Sequence, residues 1–189
     1  LAAACQARGL PVRRLSAVEL KQQERAITGA VRGGLLLPGD AQVDPPALVQ
    51  RLGAALARMG VSLKLGRAME RVVTGPDFRM HDGERFDRVV LATGVSAAPK
   101  FVDRAGHAFD TRLPEIVPVK GQMLALAQVD GAPVHVIHTR DLYLAPKSRW
   151  ILVGATVERG RSDTGVNRAA IEDMRAKAIG LVGVLSKSP

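Results

Sequence analysis

The stretch Val117–Glu158, VPVKGQMLALAQVDGAPVHVIHTRDLYLAPKSRWILVGATVE, decides how the rest of the chain is read. Its apolar runs have a period of two and are broken by polar turns, the pattern of strands with one face buried. The predicted strands are Val119–Ala127, Val134–His138, Leu142–Ala145 and Trp150–Val153. Asp130–Gly131–Ala132–Pro133 and Pro146–Lys147–Ser148–Arg149 supply turns, and the last two strands form a hairpin. Tyr143, the one tyrosine, alternates with Leu142 and Leu144, so its ring leaves the opposite face. A hydroxyl on a rigid ring suits a carboxylate, although a strand tyrosine equally serves packing. Trp150 reads as core or as a cross-strand partner on the same hairpin.

Downstream, Thr164 or Asn167 opens a helix over Arg168–Val182, with Ala170, Met174, Ala178 and Leu181 near one face. Upstream, Arg88-Val-Val-Leu-Ala-Thr-Gly94 is apolar on both faces, so Phe86–Ala92 is predicted as a buried strand running to a glycine loop. Such a strand end lets backbone approach a ligand; an ordinary turn fits the same residues. Val61–Leu65, Ala68–Val73 and Phe78–Met80 read as short strands, with turns at Gly75–Pro76–Asp77 and His81–Asp82–Gly83. Pro99–Asp110 reads as irregular or weakly helical. Asp44 caps a helix whose first positions are Pro45 and Pro46 and whose apolar face carries Leu48, Leu52, Ala55, Leu56 and Met59. Leu35–Leu37 is a predicted buried strand approached through Gly33 and Gly34. Ser16 and Glu19 form a capping box for a helix over Ala17–Arg25. Leu1–Leu10 resembles the tail of a helix stopped at Gly9. The fold class expected is α+β, with a mixed, largely antiparallel sheet and helices.

Composition bounds the function. With 189 residues, 47% of them hydrophobic, the chain has material for one substantial core or for one domain and part of a second. It lacks the run of about 20 apolar residues that a membrane helix needs. Opening without Met, with charge after rather than before its apolar start, it reads as an internal piece of a longer protein. The single Cys5 permits no internal disulfide and indicates a reducing, cytoplasmic setting. The net charge of +9 is spread over single and paired basic residues, and aromatics make up 3%, so a solvated basic surface is expected rather than nucleic-acid binding. His81, His107, His135 and His138 have no metal-ligand spacing, and no metal site is predicted. The chain contains no G-x-G-x-x-G, P-loop or G-x-S-x-G.

Three segments, Pro118-Val-Lys-Gly-Gln-Met, Asp141-Leu-Tyr-Leu-Ala-Pro-Lys and Ile151-Leu-Val-Gly-Ala-Thr-Val-Glu, together resemble the D-amino-acid-oxidase family of FAD-dependent oxidoreductases. The nearest subgroup is glycine oxidase of thiamine biosynthesis. Gly34–Pro38 with Val43-Asp44-Pro45, and Arg88–Gly94, resemble the family in the same order. The family's initial G-x-G-x-x-G strand and its terminal carboxylate-binding arginine segment have no counterpart here. The resemblance implies partial strands of a Rossmann-like FAD domain in residues 1–34 and 39–94, a substrate-binding sheet in 95–165 with 35–38, and a substrate-domain helix in 166–189. It also implies that Tyr143 hydrogen-bonds the substrate carboxylate, that His138 is a second polar pocket residue, and that Val157 is an apolar wall. The main chain at Ala68, Thr93 and Gly94 would lie along FAD. The implied reaction is oxidation of glycine, another small amine or a D-amino acid by hydride transfer to the flavin. This piece alone is expected to hold FAD weakly and to turn over nothing. A D-amino-acid dehydrogenase passing electrons to a quinone and a sarcosine-oxidase relative are alternatives within the class. A non-catalytic module offering a basic surface to an anionic partner is the alternative outside it, and homo-oligomerisation through an exposed sheet edge stays open.

Overall fold

A computed structural model describes residues 2–75, 78–80, 83–96, 98–108 and 113–188, and for 78–80 it describes the backbone alone. In chain order the elements are α1 (Ala2–Gln6), β1 (Arg13–Ser16), α2 (Ala17–Gln23), β2 (Gly33–Leu36), α3 (Pro45–Arg58), β3 (Arg71–Val73), β4 (Phe78–Met80), β5 (Arg85–Phe86) and β6 (Lys100–Val102). These are followed by β7 (Val119–Lys120), β8 (Met123–Ala127), β9 (Ile137–His138), β10 (Tyr143–Pro146), β11 (Trp150–Gly154), β12 (Glu158–Arg159), α4 (Arg168–Leu181) and a 3-10 turn at Gly183–Lys187. The chain divides into two compact units. One comprises residues 1–51, 120–158 and 163–189, and the other 52–119 and 159–162.

The first unit is built on an antiparallel sheet of order β8-β11-β10-β9. Alternation sends Leu124, Leu126, Leu142, Leu144, Ile151 and Val153 to one face, and α4 packs there through Met174 and Ala178. Leu144, Ile151 and Val153 are wholly buried, together with Val182 and Leu185 beyond α4. Asn167 caps α4 by accepting from the Ala170 N–H at 3.2 Å, choosing between the two residues the sequence offered. At its other end the Leu181 carbonyl accepts from the N–H groups of Thr28 and Gly29, and the Thr28 hydroxyl accepts from the Gly183 N–H at 2.9 Å. These bonds use acceptors and donors that a helix end leaves unpaired.

The capping box forms as expected: the Ser16 hydroxyl accepts from the Glu19 N–H, and the Glu19 carboxylate accepts from the Ser16 N–H at 2.8 Å. Donation to the carboxylate from the Ser16 N–H, and from the Ser16 hydroxyl at 2.7 Å, holds the Glu19 carboxyl below the usual carboxylate range. Helix α2 ends at Gln23 rather than Arg25 because Glu24 turns extended and sends its side chain elsewhere. Gly33 and Gly34 belong to β2 instead of preceding it, and β2 is half-buried. A Cβ on Gly33 would sit 2.5 Å from the Leu15 carbonyl oxygen, so glycine is what permits the β1–β2 approach. The predicted strand Val119–Ala127 is broken at Gly121–Gln122. The Gln122 N–H donates to the Thr156 hydroxyl at 2.9 Å rather than to a strand partner. Trp150 is 47% exposed, with the Arg149 guanidinium 6.0 Å over its ring, and is not core.

In the second unit β5-β4-β3-β6 form a small sheet, antiparallel except that β3 and β6 run parallel. Residues 61–65 form no strand, and the expected Ala68–Val73 strand starts only at Arg71. Pro99–Asp110 is corrected in part, since Lys100–Val102 is a strand. The predicted buried strand Phe86–Ala92 is not formed past Phe86, and Val90 is 87% exposed. A run that is apolar on both faces needs a strand on each side, and none of the described residues supplies one. Most of the turns at Gly75–Pro76–Asp77 and His81–Asp82–Gly83, including His81, falls outside the described residues.

Candidate functional site

The sheet face turned away from α4 carries one row of residues across all four strands. Met123 of β8 pairs with Gly154 of β11, Gly154 with Tyr143 of β10, and Tyr143 with His138 of β9. Tyr143 leans across Gly154, and its hydroxyl donates to Met123 Sδ at 2.9 Å. On the other side the His138 ring lies 5.7 Å from the Tyr143 ring, tilted by 42°. Met123 is 54% exposed and Tyr143 half-buried, so the hydroxyl is within reach of a ligand. A thioether is a weak acceptor, and a carboxylate offers the same donor a stronger, charge-assisted bond.

The local sequence fixes both flanks of this row. Between β9 and β10 the Thr139 hydroxyl accepts from the Leu142 N–H at 3.0 Å and donates to the Leu142 carbonyl at 2.9 Å, closing the tight turn that sets His138 opposite Tyr143. Ahead of β9, the 5%-exposed Glu24 accepts from the N–H groups of Val134 at 3.0 Å and His135 at 2.9 Å, with His135 Nδ1 3.0 Å from the same oxygen. Burial by itself would push the Glu24 carboxyl up. The donors from His135, Ala26 and Val134 together outweigh it and hold the carboxyl below the usual range. This is why the predicted strand Val134–His138 shrinks to Ile137–His138: the amides of 134 and 135 are committed to Glu24.

Beyond β11 the chain is tied back by Gln122, which is 8% exposed. Its side-chain amide donates to the Glu158 carboxylate at 2.7 Å and accepts from the Asn167 N–H at 2.6 Å. Lys120 Nζ donates to Asp163 at 2.6 Å and to the Gly165 carbonyl. Between the anchored residues Thr156 and Glu158, Val157 stands 74% exposed. Tyr143 and His138 are therefore brought together on β10 and β9, while Val157 lies beyond the end of β11.

Ala68, Thr93 and Gly94 belong to the other unit. All three are exposed and sit in irregular backbone. The described residues hold no cluster of three or more His, Cys, Asp or Glu side chains suited to a metal ion. Among the described residues, none of the helices is long and apolar enough to cross a membrane. Sequence reasoning passed over Met123 and Gly154. The signal for the glycine lay in an apolar strand, Trp150–Val153, that continues into Gly154 on the tyrosine's face.

Comparison with known proteins shows the family. A family model described as "DAO: FAD dependent oxidoreductase" matches residues 1–187. The glycine oxidase of Geobacillus kaustophilus (strain HTA426) is 30% identical over 185 residues, covering 92% of this chain and 46% of that protein. The D-amino acid dehydrogenase of Methylobacterium nodulans is 35% identical over 159 residues, covering 77% of this chain and 36% of its own. The crystal structure of the Geobacillus kaustophilus glycine oxidase superposes with a TM-score of 0.74 at 24% identity, over 97% of this chain and 50% of that one. The chain thus spans half or less of the length of these proteins, and its mixed helix-and-sheet fold is like that of glycine oxidase. From the match over nearly its whole length, the chain belongs to the DAO family of FAD-dependent oxidoreductases.

Proposed function

We propose that this chain contributes the substrate-facing sheet of an FAD-dependent enzyme that oxidatively deaminates glycine or another small amine or D-amino acid. The observation that carries the reading is the row Met123–Gly154–Tyr143–His138, in which a hydroxyl donor rests on a weak acceptor at an accessible face. In this reading Tyr143 binds the substrate carboxylate, His138 flanks it, and Val157 is an apolar wall. The main chain at Ala68, Thr93 and Gly94 lies toward the cofactor. Residues 1–34 and 39–94 then belong to the FAD domain, while 35–38, 95–165 and 166–189 belong to the substrate domain. What these residues do is orient: a carboxylate held at one hydroxyl limits the poses in which the substrate's α-carbon is presented. The free Cys5 supports a reducing, cytoplasmic setting.

The test is Tyr143→Phe in the flavin-loaded, longer protein, assayed with glycine and small D-amino acids against oxygen and against a quinone. Loss of one hydrogen bond to a charged group costs about 1.5–3 kcal/mol, so KM and the Kd of a simple carboxylate inhibitor should rise roughly tenfold or more. An unchanged Kd for the carboxylate would sink the assignment.

A further inference from the structure

We infer that Gly154 is a positioning residue: the gap it leaves opposite Tyr143 lays the phenol flat along the sheet and so fixes where the hydroxyl meets a carboxylate. The inference rests on the reading of Tyr143 as the carboxylate's partner. Adjacent strands lie about 4.8 Å apart, and Met123 is two strands away from Tyr143. A ring standing upright on β10 cannot span that distance, yet the hydroxyl reaches Met123 Sδ at 2.9 Å. It does so by crossing the space a side chain at 154 would fill. A Cβ built on Gly154 would lie 2.6 Å from both Cζ and Oη of Tyr143 and 2.8 Å from Cε1. These are the far atoms of a side chain that can rotate, so a larger residue at 154 would lift the ring off the sheet rather than break the strand. An aromatic ring covering a strand glycine also shields the backbone that the glycine leaves open.

The same row explains why the resting hydroxyl is ready for a ligand. With Gly154 directing it along the sheet, its partner in the free protein is a thioether, which a carboxylate replaces with gain. Glycine thus sets the direction of the donor, and Met123 serves as the partner to be displaced.

The experiment uses the flavin-loaded longer protein, with flavin absorbance as the check that each variant is folded. Gly154→Ala is expected to raise KM and the Kd of a carboxylate inhibitor roughly tenfold, with kcat changed less than KM. In a Tyr143→Phe background the same substitution should add nothing, because the hydroxyl it misdirects is gone. An equal, additive effect in both backgrounds would overturn the inference, since a merely structural role does not depend on the hydroxyl. Met123→Leu keeps the volume and removes the competing acceptor, so KM should fall, by about twofold. A rise matching that of Tyr143→Phe would show that the sulfur, not the glycine gap, aims the ring, and would also overturn it. If Tyr143→Phe alone leaves KM and Kd unchanged, the failure lies with the reading of Tyr143 itself.

Discussion

In the unit of residues 1–51, 120–158 and 163–189, four strands close against α4, and every buried member of the main apolar cluster comes from it. In the unit of residues 52–119 and 159–162, the described residues that are buried are Val72, Pro99 and Val102. Both units contain apolar runs of similar strength in the sequence. They differ in cover: β8, β10 and β11 have partners and a helix behind them, whereas Val89–Ala92 has neither among the described residues. An apolar run becomes a buried strand only when something lies beside it and above it, so the same pattern gave a core in one unit and exposed backbone in the other.

This contrast can be broken most directly at the core. Leu144→Ala or Ile151→Ala should cost about 2–5 kcal/mol in urea unfolding, through lost burial and the cavity left behind. Val90→Ala should stay within about 0.5 kcal/mol. Equal costs would mean that the two units are supported alike. Glu24→Ala comes next, because the amides of Val134 and His135 lose their acceptor in a partly buried site. Roughly 2–3 kcal/mol is expected, with faster hydrogen exchange at those two amides. The sign with pH follows from the lowered carboxyl of Glu24. Its contribution is complete above the usual carboxylate range and is lost as pH falls through that range towards the depressed value. Glu24→Gln should therefore flatten the acid side of the first unit's stability profile; an acid limb of unchanged steepness would show that other groups set it. Ser16→Ala should cost about 1 kcal/mol for a lost cap, read as earlier fraying of α2 by hydrogen exchange.

Where local chemistry decides, the sequence is readable. Ser16 with Glu19, Asp44 before two prolines, and Asn167 before α4 each bond their helix as their residue types require. The hairpin β10–β11 was also legible, but its register was not fully so. Pro146 continues β10 and pairs with Ile151, which moves Tyr143 to a position opposite Gly154. A proline is tolerated there because β9 ends well short of it, and the Pro146 carbonyl accepts from Gln42 Nε2 at 2.5 Å. Partners remote in sequence were illegible. Nothing local announces that β3 pairs with β6, or that Glu24 takes the amides of 134 and 135. For the candidate site, the tyrosine and histidine could be named from the chain, while Met123 and Gly154 required the register that joins four strands in one row.

The bonds from Thr28 and Gly29 to the end of α4 bear on how the molecule is made. The Thr28 hydroxyl meets the Gly183 N–H across 155 positions of sequence, and the segment that builds the second unit is synthesised between them. During translation Thr28 and Gly29 therefore wait without these partners until α4 and the turn after it have been made. Contacts of such separation make folding slow. The strands of the first unit's sheet, made between residues 123 and 154, are likewise complete before α4 exists to cover them, and that is the interval in which a chaperone has most to protect.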